Sequence, residues 1–271
     1  MEINRSNIME VVNNAGLKPD KDYGQNFLIE PDISKRIVDA ALISEGDKVL
    51  EIGPGIGSLT HFIAEYNQDT TIVDIDRRMI DFLSIFYKSN TNFTLVESDI
   101  RKVDVSKYTK IIGNLPYNIT TELVTFLLKN GNNAQKMILM CQTEAFNRFS
   151  DTSGKDYGPV SVLVHLLGDS RRLFSVKAGC FYPVPKCGST VFDISINPNV
   201  DRERCLNIFA LAKSLFLNRR KTLANNLTNV VKDRAKAEQI LAASNIPLNK
   251  RPEEISPMDY ARLFDEFNIV K

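Results

Sequence analysis

The heptapeptide Glu51-Ile52-Gly53-Pro54-Gly55-Ile56-Gly57 follows the apolar run Lys48-Val49-Leu50 and precedes a helical pattern over residues 58–66. Glycines at such a strand-to-helix turn let the backbone approach a ligand closely. Their spacing is G-x-G-x-G, whereas the dinucleotide fingerprint requires G-x-G-x-x-G. Pro54 also removes an amide that a pyrophosphate cradle would use. The turn therefore predicts a nucleoside site and weighs against a nicotinamide dehydrogenase, with a glycine turn that binds no ligand as the alternative.

Acidic residues follow the next two predicted strands. Asp74 closes the apolar run 71–73, and Asp99 follows the strand 93–97. In doubly wound folds, an acid at the end of the second strand binds ribose hydroxyls, so we assign this role to Asp74. Asp76 is expected to position the turn or to cap the next helix. For Asp99, the residues leave two roles open: acceptor for the amino group of a cofactor adenine, or cap of a turn.

The run Asn114-Leu115-Pro116-Tyr117 stands between a short apolar strand and a helical pattern. An asparagine side chain offers a carbonyl oxygen to an N–H group, and a tyrosine ring offers a face on which a base can stack. Proline stiffens the backbone and adds no competing donor. These residues predict a site that holds a planar base by its exocyclic amine. An ordinary strand-to-helix turn is the alternative.

Strands and helices alternate through most of the chain, which predicts an α/β fold with a mostly parallel sheet and helices on both sides. All the motifs above fall at carboxyl ends of strands, where such sheets bind their ligands. The run Asn197-Pro198-Asn199 breaks the pattern. We therefore predict a catalytic domain over 1–198 and a small helical domain over 199–271. The triplet Arg219-Arg220-Lys221 in the second domain is expected either to contact phosphates or to pair with nearby acids.

Composition narrows the class of protein. The chain has 271 residues, 43% of them hydrophobic, and a net charge of only +1. Beyond residue 200 there are 13 Lys and Arg against 9 Asp and Glu, which suits a small RNA-binding domain but also an ordinary solvated helical surface. Four cysteines without a C-x-x-C pair and two separated histidines argue against a metal site. Without an apolar stretch of ~18 residues, a cytoplasmic protein that does not span a membrane is expected.

The chain resembles the family of ribosomal RNA small-subunit adenine N6,N6-dimethyltransferases, the KsgA-type enzymes, and its glycine loop looks like the first motif of S-adenosylmethionine-dependent methyltransferases. The resemblance extends from Gly24 to about Leu263. It is carried by Gly24-Gln25-Asn26-Phe27-Leu28, Glu51-Ile52-Gly53-Pro54-Gly55, Gly113-Asn114-Leu115-Pro116-Tyr117-Asn118-Ile119, Tyr157-Gly158, Phe181-Tyr182-Pro183-Val184-Pro185-Lys186 and Asn218-Arg219-Arg220-Lys221-Thr222.

The resemblance implies a Rossmann-like methyltransferase fold with a seven-stranded sheet. It also implies a reaction that dimethylates two adjacent adenosines near the 3′ end of small-subunit rRNA, with S-adenosylmethionine as methyl donor and no metal. The expected partner is an immature small ribosomal subunit, and a monomer is expected. The residues carried over to the donor site are Asn26, Leu28, Gly53, Asp74, Asp99 and Asn114. Those carried over to the target base are Asn114, Tyr117 and Phe181, and we assign the Leu115 backbone carbonyl as a second catalytic acceptor for the target amine. Asp74 is a departure, since many relatives have Glu there.

Other interpretations remain open. The antibiotic-resistance methyltransferases, which dimethylate one adenine of large-subunit rRNA, would share this fold and chemistry. The Phe181–Lys186 segment and Leu115 favour the small-subunit class. A DNA adenine methyltransferase would usually have an acid at position 114 and proline at 115. A ribosome-assembly factor without catalytic activity on the same scaffold is a further alternative, and the intact site residues weigh against it.

Overall fold

A computed structural model describes residues 2–20, 24–116 and 119–270 of the chain. Its strands are β1 (Phe27–Leu28), β2 (Lys48–Ile52), β3 (Asp69–Asp74), β4 (Phe93–Glu97), β5 (Lys110–Asn114), β6 (Lys136–Gln142), β7 (Gly168–Val176), β8 (Phe181–Tyr182) and β9 (Ser189–Ile196). Its helices are α1 (Ile8–Asn14), α2 (Pro31–Asp39), α3 (Thr60–Ile63), α4 (Arg77–Tyr87), α5 (Thr120–Asn130), α6 (Thr143–Ser150), α7 (Pro159–Leu167), α8 (Arg202–Phe216), α9 (Leu223–Val231), α10 (Arg234–Ala243) and α11 (Pro257–Val270).

Seven strands form one sheet in the order β4-β3-β2-β5-β6-β9-β7. Strands β4, β3, β2, β5 and β6 are parallel, and β9 runs antiparallel to β6. Four consecutive residues of β2, Val49–Ile52, are buried, as expected for a strand covered on both faces. The predicted Rossmann-like fold with a mostly parallel seven-stranded sheet is confirmed.

A second, two-stranded sheet joins segments that are far apart in the sequence. Strand β1 pairs antiparallel with β8, so that Phe27 lies opposite Tyr182 and Leu28 opposite Phe181. Pro183 immediately after β8 could not donate a ladder hydrogen bond, which agrees with a pairing only two residues long. This sheet fixes the segment before α2 beside the connection between β7 and β9.

The chain divides into two compact units. The first contains residues 1–146 and 171–195, and the second contains residues 147–170 and 196–271. The second unit has a core of its own, to which Tyr157, Ile208, Leu227 and Tyr260 contribute. The single boundary predicted at 198/199 remains a prediction for independently folding domains. The compact units themselves are discontinuous, because α7 packs with the C-terminal helices.

Helix boundaries in the second unit follow local capping chemistry. The N-cap residues Asp201, Thr222 and Asp233 each accept a hydrogen bond from the backbone N–H three residues further on. Such caps satisfy donors that the first turn of a helix leaves open. Within the described part of the chain, none of the helices combines the length and the apolar character required to cross a bilayer.

Candidate active site

The candidate site lies where the strand order reverses, between the carboxyl ends of β2 and β5. Ile52 pairs with Gly113 at this point, so the glycine loop and Asn114 leave the sheet side by side. Gly53 has φ +65°, a conformation that side chains disfavour, and a Cβ there would lie 3.6 Å from the Asn114 carbonyl oxygen. A cleft opens here, lined by Gly24, Gln25, Asn26, Phe27, Leu28, Gly53, Pro54, Gly55, Ser58, Leu59, Asp74, Ile75, Asn114, Leu115, Pro116 and Ile119.

Residues 24–28 form one wall of the cleft and are tied to the glycine loop. The Ser58 hydroxyl donates a 2.6 Å hydrogen bond to the Leu28 carbonyl. The Phe27 ring closes over Gly55, since a Cβ at Gly55 would lie 3.0 Å from that ring. Asn26 and Leu28 both line the cleft, where the resemblance places them. The wall and the loop therefore hold each other in place.

Asp74 ends β3 and lines the cleft with its side chain almost completely buried. One carboxylate oxygen accepts a 2.9 Å hydrogen bond from the backbone N–H of Asp76. Burial raises the pKa of Asp74, hydrogen bonds from the backbone of Asp76 and Gly55 oppose this, and the resulting pKa is about 6. The carboxylate is thus mostly ionised at neutral pH and retains acceptor capacity, as a ribose-binding acid requires.

Ile75, which lies between Asp74 and Asp76, is a site residue that the sequence did not indicate. Its side chain is 52% exposed and lines the cleft. An exposed large apolar side chain at the end of a buried strand gives a flat ligand a surface to pack against. The exposure cannot be read from the sequence, because Ile72 and Val73 just before it are fully buried.

Asn114 faces the cleft from the end of β5. Its side-chain amide donates a 3.3 Å hydrogen bond to the Asn26 carbonyl, so the amide oxygen is directed away from that contact. Leu115 is fixed by a 3.0 Å hydrogen bond from its backbone N–H to the Met140 carbonyl, and its side chain is buried. The structure therefore brings together Asn26, Leu28, Gly53, Asp74, Asn114 and Leu115. Tyr117 lies outside the described residues.

Two expected site residues are placed differently from these. The Phe181 ring is 1% exposed and belongs to a core cluster with Leu28 and Ile37, so stacking on a base requires this ring to become accessible. Asp99 caps a short 3-10 turn by accepting from the Arg101 backbone, and it is also paired with the Arg101 guanidinium. These hydrogen bonds lower the pKa of Asp99. Asp99 does not line the cleft described above, and its adenine-binding role stays a prediction.

The glycine loop begins at a fully buried acid, Glu51. Thr60 donates a 2.7 Å hydrogen bond to one carboxyl oxygen, and the other oxygen has no hydrogen-bond partner among the described residues. Burial raises the pKa of Glu51 to about 8, and the negative charge of Asp74 contributes to the increase. Glu51 is therefore mostly protonated at neutral pH. The sequence placed this residue in the loop motif but indicated nothing about its protonation.

The chain matches a known protein family over most of its length. The family model described as ribosomal RNA adenine dimethylase matches residues 16–268. The chain belongs to the ribosomal RNA adenine dimethylase family.

Two relatives illustrate how closely the chain matches other proteins. Ribosomal RNA small subunit methyltransferase A of Alkaliphilus oremlandii is 37% identical, over 94% of this chain and 93% of its own length. The protein of the same name from Streptococcus gordonii is 34% identical over 90% of both chains. Among solved structures, a dimethyladenosine transferase from Plasmodium falciparum superposes with a TM-score of 0.77 at 24% identity, covering 90% of this chain and 98% of its own. The 23S rRNA methyltransferase ErmE superposes at 0.70 with 22% identity, covering 90% and 100% respectively.

Within this dimethylase, the basic triplet of the second unit divides into two kinds of residue. The Arg219 guanidinium donates a 2.6 Å hydrogen bond to the Gly154 carbonyl and lies 3.6 Å from the Glu253 carboxylate. Lys221 is exposed, and Arg220 stands beside it on the same turn. The two roles that the sequence left open are thus divided: Arg219 pairs with an acid, whereas phosphate contact by Arg220 and Lys221 stays a prediction.

Over residues 2–20, 24–116 and 119–270, no three His, Cys, Asp or Glu side chains come together in a group that would hold a metal ion. The cysteines Cys141, Cys180, Cys187 and Cys205 are free thiols.

Proposed function

We propose that this dimethylase transfers methyl groups from S-adenosylmethionine to the exocyclic N6 of two adjacent adenosines near the 3′ end of small-subunit (16S) rRNA. The observation that carries the proposal is the Asn114 amide. It is held by the Asn26 carbonyl at the carboxyl end of β5, and its oxygen is left to accept a hydrogen bond within the same cleft as Asp74. An immature small ribosomal subunit is the proposed substrate particle.

The residues of the cleft suit the proposed donor. S-Adenosylmethionine supplies an electrophilic methyl group on a positively charged sulfur. Asp74 offers an ionised carboxylate to ribose hydroxyls, and Ile75 offers an apolar surface to the adenine ring. The glycine loop lets backbone groups approach the donor closely, because Gly53 and Gly55 carry no Cβ and adopt φ values of +65° and +54°.

The acceptor site follows from Asn114 and Leu115. We assign the Asn114 side-chain oxygen and the Leu115 backbone carbonyl as acceptors for the two N–H groups of the target amine. These bonds would hold the nitrogen lone pair out of the purine plane and directed toward the methyl group. Positioning of this kind contributes several kcal/mol, below an upper bound of roughly 7–11 kcal/mol from effective molarities. The amine loses its proton to solvent after transfer, since the methylated cation is acidic, so no dedicated general base is required.

The target base must leave its stack in the RNA before it reaches this cleft. Tyr117 and Phe181 are the aromatic residues proposed to stack on it, at about 1–3 kcal/mol per base. Because Phe181 is buried beside Leu28, its participation requires the ring to become accessible. Addition of the second methyl group requires the monomethylated amine to rotate and bind again at Asn114.

The decisive test is Asn114→Ala. Small subunits prepared from cells that lack the enzyme are incubated with labelled donor, and dimethyladenosine is measured by mass spectrometry. Loss of transfer with donor affinity largely retained in calorimetry is the expected result, because the acceptor amine loses its hydrogen-bond acceptor whereas Asp74 and the glycine loop still line the donor site. The matched control is Asn133→Ala, which alters an exposed asparagine just before the amino-terminal end of β6, whereas Asn114 lies at the carboxyl end of β5. Transfer by Asn114→Ala at the rate of the control would refute the role of Asn114.

The same assay separates the two rRNA classes. Purified small and large subunits are offered in parallel, and product on the large subunit alone would replace the proposed substrate by that of the antibiotic-resistance class. Donor binding without transfer to either particle would favour an assembly factor that has lost its catalytic activity.

A further inference from the structure

We propose that Asp76 is a positioning residue that holds the cleft wall, residues 24–28, against the donor site through Gln25. The inference rests on the proposed use of S-adenosylmethionine and adds a residue that contacts neither donor nor base in our assignment. Asp76 is 4% exposed and stands at the N-terminus of α4.

Asp76 joins the two sides of the cleft. On one side, its backbone N–H donates to the Asp74 carboxylate at 2.9 Å. On the other, its Oδ2 accepts a 2.8 Å hydrogen bond from the Gln25 side-chain amide. Gln25 in turn accepts from the Asp20 backbone N–H at 2.9 Å through its side-chain oxygen. The orientation of the Gln25 amide is thereby fixed from both ends.

Arg78 keeps this carboxylate in place. Its Nη2 lies 2.6 Å from Asp76 Oδ2, and its Nε and backbone N–H donate to Oδ1 at 2.9 and 3.0 Å. Arg78 Nη1 also donates to the Lys18 carbonyl at 3.4 Å. One guanidinium therefore binds both the helix cap and the chain that precedes the wall. Although burial alone would raise the pKa of Asp76, the hydrogen bonds from Arg78 and Gln25 hold that pKa below the ordinary value of an aspartate.

The consequence for donor binding is physical. Gln25 and Asn26 line the cleft, and Asn26 is the residue whose carbonyl orients the Asn114 amide. If the hydrogen bond between Gln25 and Asp76 is lost, the wall loses a charge-assisted hydrogen bond next to Asn26. Such bonds are stronger than neutral ones. Donor affinity should fall even though neither Gln25 nor Asp76 is assigned to the donor itself.

The test is a charge-exchange cycle on the full-length protein with S-adenosylmethionine as the probe in calorimetry. Gln25→Glu places two carboxylates in contact, and Asp76→Asn leaves an amide NH₂ group that opposes a donor of either Gln25 or Arg78. In the double variant Gln25→Glu/Asp76→Asn, the new amide at position 76 can donate to the new carboxylate at position 25, whose second oxygen still accepts from Asp20. Each single variant should raise the dissociation constant about tenfold to hundredfold, the range for one hydrogen bond to a charged group. The double variant should bind more tightly than the two single losses combined predict, because the contact between positions 25 and 76 is restored whereas the pairing of position 76 with Arg78 is not.

Matched controls change the same chemistry elsewhere. Gln135→Glu and Asp69→Asn alter exposed residues at the amino-terminal ends of β6 and β3, away from the cleft. They should leave the dissociation constant unchanged. Steady-state kinetics add a second readout: KM for the donor should rise in the single variants, whereas KM for the rRNA particle stays constant. Should Asp76→Asn fail to fold, Gln25→Ala provides the same measurement, because it removes the contact without adding a charge.

The outcomes separate the two proposals. Wild-type protein that does not bind S-adenosylmethionine would refute the proposed function itself. Wild-type binding with unchanged affinity in Gln25→Glu and Gln25→Ala would overturn only the role of Asp76. A double variant as weak as the two single losses combined would do the same, since it would show a general loss of structure instead of a specific contact.

Discussion

The wild-type protein should lose stability as the pH rises because Glu51 is buried, and replacing Glu51 with glutamine should remove this loss. In the native state the pKa of Glu51 is about 8, whereas the ordinary value for the unfolded chain is 4.5. Between these values the folded protein binds a proton that the unfolded chain lacks, so the free energy of unfolding falls with increasing pH. At about 1.36 kcal/mol per pKa unit, the wild type loses about 2–3 kcal/mol between pH 5 and pH 7 through this group alone. Below the unfolded-state pKa of 4.5 the loss vanishes.

Glutamine keeps an oxygen that can accept from Thr60 and has no charge to bury. Glu51→Gln should therefore match the wild type within about 1 kcal/mol at pH 5 and exceed it by about 2–3 kcal/mol at pH 7, by the same linkage. Urea unfolding at four pH values from about 5 to about 8 measures the difference. Circular dichroism monitors the unfolding, because the chain contains no tryptophan whose fluorescence could report it. Glu65→Gln, at an exposed position, is the control. Wild type and Glu51→Gln curves that stay parallel across this pH range would contradict the reasoning.

Further changes test other parts of the structure. Since the pKa of Asp74 is about 6, affinity for S-adenosylmethionine should rise with pH through this value and then level off, and calorimetry on Asp74→Asn should show a flat profile. Gly57→Ala should lower the free energy of unfolding by about 1–3 kcal/mol in urea, because its Cβ would lie 2.7 Å from Leu83 Cδ2 at φ +88°. Arg219→Ala should destabilise the second unit by about 1–3 kcal/mol, the range for a polar group that loses its partner. Arg220→Ala should leave unfolding unchanged and weaken binding to rRNA in a filter assay, more strongly at low salt.

Local patterns predicted the central sheet well. Strand β4 has the predicted bounds 93–97, and the apolar run 48–50 lies within β2, because apolar runs bounded by turn residues mark strands without tertiary information. Asp76 caps α4, one of the two roles expected of it, because capping depends on neighbours within three residues. Features set by the immediate neighbourhood of a residue were accessible from the sequence.

Features that depend on distant partners were not accessible. The pairing of Phe27 with Tyr182 joins two-residue strands that are far apart along the chain, and neither strand is long enough to show a period. Residues 147–170 belong to the second unit because α7 packs with the C-terminal helices. This packing joins distant parts of the chain and therefore leaves no local sequence pattern. Phe181 was assigned by motif to the base, yet the ring is covered by side chains that only the folded chain brings near it.

Three neighbouring acids at the proposed donor site, Glu51, Asp74 and Asp76, differ in their charge at neutral pH. Glu51 is mostly neutral at pH 7 because it is buried, and Asp76 is ionised but compensated by Arg78. Asp74 is the acid whose charge can face the cleft, and its own pKa is raised in part by Asp76. If Glu51 were also ionised, mutual repulsion would raise the pKa of Asp74 further and reduce its charge at neutral pH. A neutral Glu51 therefore allows Asp74 to remain an acceptor for the proposed donor, which connects the stability of the apo protein to its affinity for a cation.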